Sequence, residues 1–313
     1  MIKKSLSLFL FLTILLPLSG EENFFGKYGE KELDLLYKQV AKHYKKEELI
    51  ELLEKKEVKE IDVATDKNLR FILSPKSVKR QAQKHTDYTS KLVNDETVKK
   101  GVDFFAKYNK VLEEVYKKTK VHPADIIAIL NWESKLGEIT GNQQVIKIFI
   151  GQYFFAEKYN EILTKEGAYE EKDAMSKSDA AKRIERLKRN ALNNLSALLI
   201  QAKTKNFDPA KVFGSWAGAI GYPQFMPASM CFAADGNSDG IIDLFVMEDA
   251  IASVANYLKE NGYHSKGREH SFKRYNPDRI YAKGVKLYGD MARKAGIEPG
   301  KCPPTSEACP VEF

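Results

Sequence analysis

The chain has 313 residues and a formal charge of +7, which falls to +5 once Lys3 and Lys4 are set aside. The length suits one large domain or two smaller ones. No internal repeat, low-complexity tract or nucleic-acid motif is present, so the basic excess points to another anionic polymer or to plain solvated lysines.

The first 20 residues read as a cleaved export signal. Lys3 and Lys4 form a basic start, and Leu6 to Leu16 is an apolar run broken only by Ser7 and Thr13. Pro17-Leu18-Ser19-Gly20 then ends in small residues. The run is too short to span a bilayer comfortably, and no Cys follows it to carry a lipid. The expectation is an exported protein, periplasmic or extracellular, with no stable membrane anchor after cleavage.

Helical patterns fill the remainder. Residues 31–55 read as two short amphipathic helices, and residues 56–75 give no clear pattern. Residues 94–118 read as one long helix and residues 122–136 as the next. Residues 142–164 are aromatic and apolar, and residues 165–177 form a polar loop. Residues 179–204 read as a basic helix, followed by helices at 249–261 and 279–294. No period-two run is long enough for a sheet of any size, so the class is mainly α. Cys302 and Cys309 could close a small C-terminal loop and leave Cys231 over, although three cysteines allow other pairings.

The most informative position is Glu133. Pro123 suits a first helical turn and Gly137 a stop. Between them Ile126, Ile129, Leu130, Glu133 and Leu136 share one helical stripe on which only Glu133 is polar. A carboxylate there is costly unless neutralised or paired, and burial is one way to keep an acid protonated near neutral pH. The adjacent Trp132 offers a desolvating wall. A glycosidase normally adds a second carboxylate. Asp125 lies eight residues back, roughly 12 Å along the axis, and Glu138 lies beyond the stop, so this helix supplies none.

Two later segments carry further chemistry. Gly214-Ser215-Trp216-Ala217-Gly218-Ala219-Ile220-Gly221-Tyr222-Pro223-Gln224-Phe225-Met226-Pro227 combines glycines, prolines and aromatics with polar Ser215 and Gln224. It reads as a rigid loop able to approach a sugar closely. Asp235-Gly236-Asn237-Ser238-Asp239-Gly240-Ile241 matches the first half of an EF-hand calcium loop, with the Ile241 carbonyl as a ligand. The twelfth position is Val246, so Asp249 would have to complete the shell.

Together these segments resemble the lytic murein transglycosylase B family. The matching motifs are Asn-Trp-Glu-Ser-Lys-Leu-Gly (131–137), the 214–227 loop, the Asp-rich loop and Asp-Ala-Ile-Ala-Ser-Val-Ala-Asn-Tyr-Leu (249–258), with Arg-Tyr-Asn and Tyr281-Ala282 near the C-terminus. The resemblance implies a lysozyme-like catalytic core at 101–294, an N-terminal helical region at 21–100 and a tail at 295–313. It implies cleavage of the bond between N-acetylmuramic acid and N-acetylglucosamine in peptidoglycan, by a monomer that binds glycan strands and no nucleic acid. Glu133 would be the single acid and base, with the muramic C6 hydroxyl closing a 1,6-anhydro ring. Substrate-contacting positions would be Tyr88, Ser215, Gln224, Phe225, Tyr257, Tyr275, Asn276 and Tyr281. A structural calcium would be held by Asp235, Asn237, Asp239, Ile241 and Asp249.

There are departures from the family pattern. Between Tyr263 and Phe272 only a polar connector stands where the family often carries a small β-rich domain. Only Arg186 falls near the family's paired arginines. Trp-Glu-Ser replaces Val-Glu-Thr, with Ser134 expected to keep a hydroxyl beside Glu133. A water-using muramidase and a non-catalytic wall-binding module are the competing readings.

Overall fold

The computed structural model describes residues 29–76, 89–171 and 174–301. The export segment, Tyr88, Cys302 and Cys309 lie outside these. The chain is mainly helical, and the one sheet among the described residues is a pair of two-residue strands, β1 (Gln143–Gln144) and β2 (Phe213–Gly214), paired antiparallel. No helix among the described residues is long and apolar enough to cross a membrane.

Helices α1 (Glu30–Val40) and α2 (Lys46–Glu54) are the expected amphipathic pair. The unclear stretch after them forms a single turn, α3 (Lys56–Lys59), and then α4 (Val63–Leu73). Asp62 starts α4 by accepting from the Thr65 amide at 2.8 Å, the usual device for an orphan N–H at a helix start. The expected long helix over 94–118 is two, α5 (Asp95–Lys107) and α6 (Asn109–Thr119). They part at Tyr108, whose backbone leaves the helical region at φ −109°, ψ 22°. Its ring packs on Phe104 at 4.7 Å between centroids.

Helix α7 (Pro123–Ser134) carries Glu133 and is buried at every residue from Pro123 to Asn131. It is a central helix with no single apolar stripe, and it ends at Ser134, short of the expected Leu136. Lys135 and Leu136 instead take left-handed backbone, with φ 50° and 60°. The aromatic segment becomes α8 (Val145–Phe154), buried throughout, and α9 (Ala156–Lys165). The basic helix is α10 (Lys177–Lys205). Then come α11 (Met247–Glu260), α12 (Arg268–Tyr275) and α13 (Arg279–Lys294). The polar connector expected between Tyr263 and Phe272 is therefore half helix.

The apolar side chains gather into two large clusters. One joins α5, α6, α7, α11, α12 and α13 around Phe105, Ile127, Val254 and Tyr288. The other joins α1, α2 and α4 to α8, α9 and α10 around Leu36, Leu69, Phe149 and Leu199. The N-terminal helices pack on segments that come much later in the chain. A third, small cluster of Phe225, Leu244 and Tyr257 lies beside them, with Tyr275 packed against it.

Candidate active site

Glu133 stands in the last turn of α7, half-buried as a whole residue, with its carboxyl enclosed by protein. Burial raises its pKa to about 7, and the nearby Tyr281 phenol draws it partly back down. The carboxyl is therefore protonated in a large fraction of molecules near neutral pH. Neither of these influences is a second carboxylate.

Asp125, the other acid of this helix, is fully buried and committed elsewhere. Arg268 grips it at 2.6 and 2.7 Å and Arg293 at 2.7 and 3.0 Å, while the Tyr263 hydroxyl donates to it as well. Burial alone would raise its pKa, but the two guanidinium groups prevail and hold it below the usual carboxylate range.

The turn after Glu133 is tightly specified. The Lys135 amide donates to the Asn131 carbonyl and the Leu136 amide to the Leu130 carbonyl, both at 3.0 Å. Ser134 spends its hydroxyl on backbone: it donates to the Leu130 carbonyl at 3.2 Å and accepts from the Gly137 amide at 3.0 Å. The expected hydroxyl beside Glu133 is thus a helix-closing group. Two non-glycine residues in left-handed backbone carry a local cost, a pattern found at functional sites.

A relay of aromatic rings leads away from Glu133. Tyr281 stacks on Tyr275 with centroids 6.4 Å apart and planes 12° apart, and Tyr275 meets Tyr257 at 4.7 Å. Phe225 packs on both Tyr257 and Tyr275, at 5.6 and 5.9 Å. Two of the phenols are anchored, Tyr257 to the Arg274 carbonyl and Tyr275 to the Pro223 carbonyl, each at 2.6 Å. Tyr281 differs: its buried hydroxyl makes no hydrogen bond of good geometry with protein, although it lies close enough to Glu133 to shift that group. A buried donor is costly to leave unpaired, and the Glu133 carboxyl is the group this hydroxyl faces. Burial first, and the Glu133 charge next, hold the Tyr275 and Tyr281 phenols protonated well past their usual range. Behind Tyr281 the Trp132 ring sits edge-on at 5.4 Å.

The glycine-rich loop bounds the other side. Ile220 and Phe225 exchange hydrogen bonds across its tip, at 2.8 and 3.0 Å. Gln224, at φ 52°, donates to the Thr140 and Gly221 carbonyls at 3.2 and 2.8 Å. Ser215 accepts from the Ala219 amide through its hydroxyl at 3.2 Å. Glycine is required at Gly218, where φ is 86° and a Cβ would lie 2.5 Å from the Phe149 ring. The structure thus joins Glu133, Tyr281, Tyr275, Tyr257 and Phe225 in one run of contacts, with Ser215 and Gln224 on the adjoining loop. Asn276 accepts from the Asp278 amide at 3.1 Å, in the turn that starts α13. Tyr88 lies outside the described residues.

The sequence reading missed Phe232, whose ring meets Tyr257 at 4.9 Å, and the Arg268–Arg293 clamp. Arginines in a polar stretch look solvated until the fold brings the distant Asp125 to them.

In the Asp-rich loop the side chains turn onto the loop's own backbone. Asp235 accepts from Ser238 and Gly240 at 2.6 and 2.8 Å, and Asp239 from Ile241 at 2.7 Å. Asp249, almost fully buried, accepts from Gly236 and Asp243 at 2.8 and 2.7 Å. Asn237 donates to Asp239 at 2.9 Å. Among the described residues no group of three or more His, Cys, Asp or Glu side chains is close enough to hold a metal ion.

Comparison with known proteins places this arrangement. The membrane-bound lytic murein transglycosylase B of Escherichia coli strain K12 is 29% identical over 177 residues, which are 56% of this chain and 41% of that protein. The chain thus aligns with less than half the length of this curated relative. The E. coli lytic transglycosylase SLT35, solved in complex with bulgecin A, superposes with a TM-score of 0.63 at 21% identity, covering 87% of this chain and 95% of that one. The same enzyme in complex with calcium gives 0.61 over the same shares, also at 21% identity. SltB3 of Pseudomonas aeruginosa, in complex with NAG-anhNAM-pentapeptide, gives 0.51 at 21% identity over 71% of this chain and 70% of its own. The core is therefore of the lysozyme-like kind shared by these transglycosylases. The transglycosylase SLT domain family matches residues 34–272, most of the chain, and this protein belongs to that family.

Proposed function

We propose that this protein is an exported lytic transglycosylase that cleaves the MurNAc–GlcNAc β-1,4 bond of peptidoglycan without water. The observation that carries this reading is the Glu133 carboxyl in the last turn of α7, facing the Tyr281 phenol, with burial raising its pKa to about 7. In the protonated form it gives its proton to the glycosidic oxygen as the C1–O bond breaks. The resulting carboxylate then takes the proton of the muramic C6 hydroxyl as O6 bonds to C1. The proton count closes on Glu133, and no second carboxylate is needed. Tyr281 faces the same carboxyl and can donate to the oxygen charge that builds there. Tyr275, Tyr257 and Phe225 supply ring surface, and Ser215, Gln224 and Asn276 supply polar edges for the sugars. Tyr88 is carried over from the resemblance as a further substrate contact. The bound NAG-anhNAM-pentapeptide of SltB3 supports peptidoglycan as the substrate class.

Mass analysis of digested peptidoglycan tests this. Anhydro-muramic ends that vanish in Glu133→Gln are expected. Ordinary reducing ends would instead identify a water-using hydrolase, and wall binding without turnover would identify a binding module.

The loop from Asp235 to Asp249 is proposed as a structural calcium site, with ligands from Asp235, Asn237, Asp239, the Ile241 carbonyl and Asp249. This is a hard-oxygen donor set of the kind calcium takes, and a carboxylate oxygen that accepts one N–H keeps a further lone pair for a cation. Movement of these side chains toward a common centre is part of the proposal. Chelation should lower the melting temperature, and an unchanged melt would reject the site. Working as a monomer in the periplasm or outside the cell completes the reading.

A further inference from the structure

We propose that Phe71 and Trp216 form an aromatic platform that holds the glycan strand at a sugar beyond the cleavage point. The inference rests on the function proposed above and extends its binding surface to a helix outside the site already described. Phe71 is 44% exposed and Trp216 is 51% exposed, yet their rings meet at 5.6 Å, edge to face at 84°. Two exposed aromatic rings in contact make a surface of the kind that marks ligand-binding sites.

The exposure of Phe71 is imposed by its helix. Leu69 and Leu73 point α4 into the second core and Thr65 and Ile72 are buried as well, which turns Phe71 outward. The helix is also fixed at several points. Lys147 of α8 pairs with Asp62 at 2.9 Å, Tyr159 of α9 donates to Asp66 at 2.8 Å, and Arg70 holds Glu166 at 2.9 Å. One turn before Phe71, Asn68 donates its side-chain amide to the Trp216 carbonyl. That bond ties the loop to α4, so the two rings are presented by a rigid pair of elements. A pre-formed surface of this kind binds without ordering cost.

The occupant follows from continuity. Trp216 directly follows Ser215, and the Gly214–Ser215 backbone is packed so closely on Gly141 that a Cβ there would lie 2.4 Å from the Gly214 carbonyl oxygen. The neighbouring Thr140 carbonyl accepts from Gln224. The platform is therefore the outward continuation of the loop that carries the sugar-facing groups. A strand leaving Ser215 and Gln224 meets ring faces that suit the apolar face of a sugar and the methyl of its N-acetyl group.

The test compares Phe71→Ala and Trp216→Ala with Phe71→Tyr, on long glycan strands and on a short muramyl tetrasaccharide. We expect the alanine variants to lower the long-to-short ratio of kcat/KM by about tenfold, through KM, and Phe71→Tyr to keep it. Melting temperatures close to wild type show that the fold survives. Co-sedimentation of the Glu133→Gln protein with glycan strands reads the platform independently of turnover, and adding Phe71→Ala should weaken it about tenfold. An unchanged ratio, equal losses on both substrates, or undiminished co-sedimentation would overturn the proposal. Platform-dependent co-sedimentation with no anhydro product from the wild type would instead sink the catalytic reading and leave the platform standing.

Discussion

At the residue scale the proposed chemistry turns on one proton. Glu133 is an ordinary carboxylate made unusual by enclosure, and the consequence is measurable in stability as well as in rate. Its pKa rises from 4.5 unfolded to about 7 folded, so the native state prefers the protonated form. The stability it contributes is complete below about 4.5 and is lost as pH rises through about 7. Glu133→Gln removes that dependence. It should match wild type in melts at pH 4 and exceed it at pH 8 by about 3 kcal/mol. An equal difference at both values would mean that the carboxyl is not enclosed. The activity of the wild type should fall along a basic limb near pH 7 as the acid loses its proton. Tyr281 lowers the Glu133 pKa, so Tyr281→Phe should move that limb to higher pH along with reducing the rate. A stationary limb would separate the phenol from the acid. The sequence exposed Glu133 because its apolar neighbours are local. It exposed the tyrosines only through resemblance, since nothing near them in the chain shows that they meet this carboxyl.

At the element scale the site is set by how closely α13 approaches α7. Gly284 permits that approach, because a Cβ there would lie 2.1 Å from the Trp132 ring. The same ring supports Tyr281 one turn earlier on α13. Trp132 thus acts on Glu133 through the helix that carries the phenol, which goes beyond the desolvating wall read from its position. Gly284→Ala should cost about 1–3 kcal/mol by overpacking, seen as a lower melting temperature. Trp132→Phe placed on top of it should recover part of that loss, because the two changes share one space. Additive losses would show that the crossing is not what Gly284 serves. Helix existence was legible from periodicity for the pair at 31–55 and the long basic helix, but not for α4 and α12, whose sequences carry too many polar residues to show an apolar face. Helix breaks were not: at Tyr108 and Phe155 the chain departs from helix without proline or glycine, for reasons of packing that no local pattern records.

At the scale of the whole molecule the loop at 214–227 ties the clusters together. Ile220 belongs to the core of the N-terminal helices, Tyr222 packs on the core of α7, and Phe225 founds the small cluster beside the tyrosines. The placing of Glu133 against Tyr281 and Tyr275 depends on how α7, α12 and α13 are held in register, and the far end of α7 does this. Asp125 receives Arg268 of α12 and Arg293 of α13, so one buried carboxylate pins the helices that carry Glu133, Tyr275 and Tyr281. The sequence showed Asp125 only as a failed second acid, because its partners lie more than a hundred residues away. A buried pair of this kind adds little over apolar packing, but removing one partner is expensive. Asp125→Asn should lose about 3–5 kcal/mol at pH 7, with two guanidinium groups left facing a neutral amide. The pH dependence has a definite sign. The folded pKa of Asp125 is depressed, so its contribution is present above about 3.8 and is lost as pH falls through the lower folded value. Acid melts should therefore show wild type and Asp125→Asn converging at low pH and separating above it. A variant as stable as wild type at pH 7 would show that the clamp does not hold the three helices.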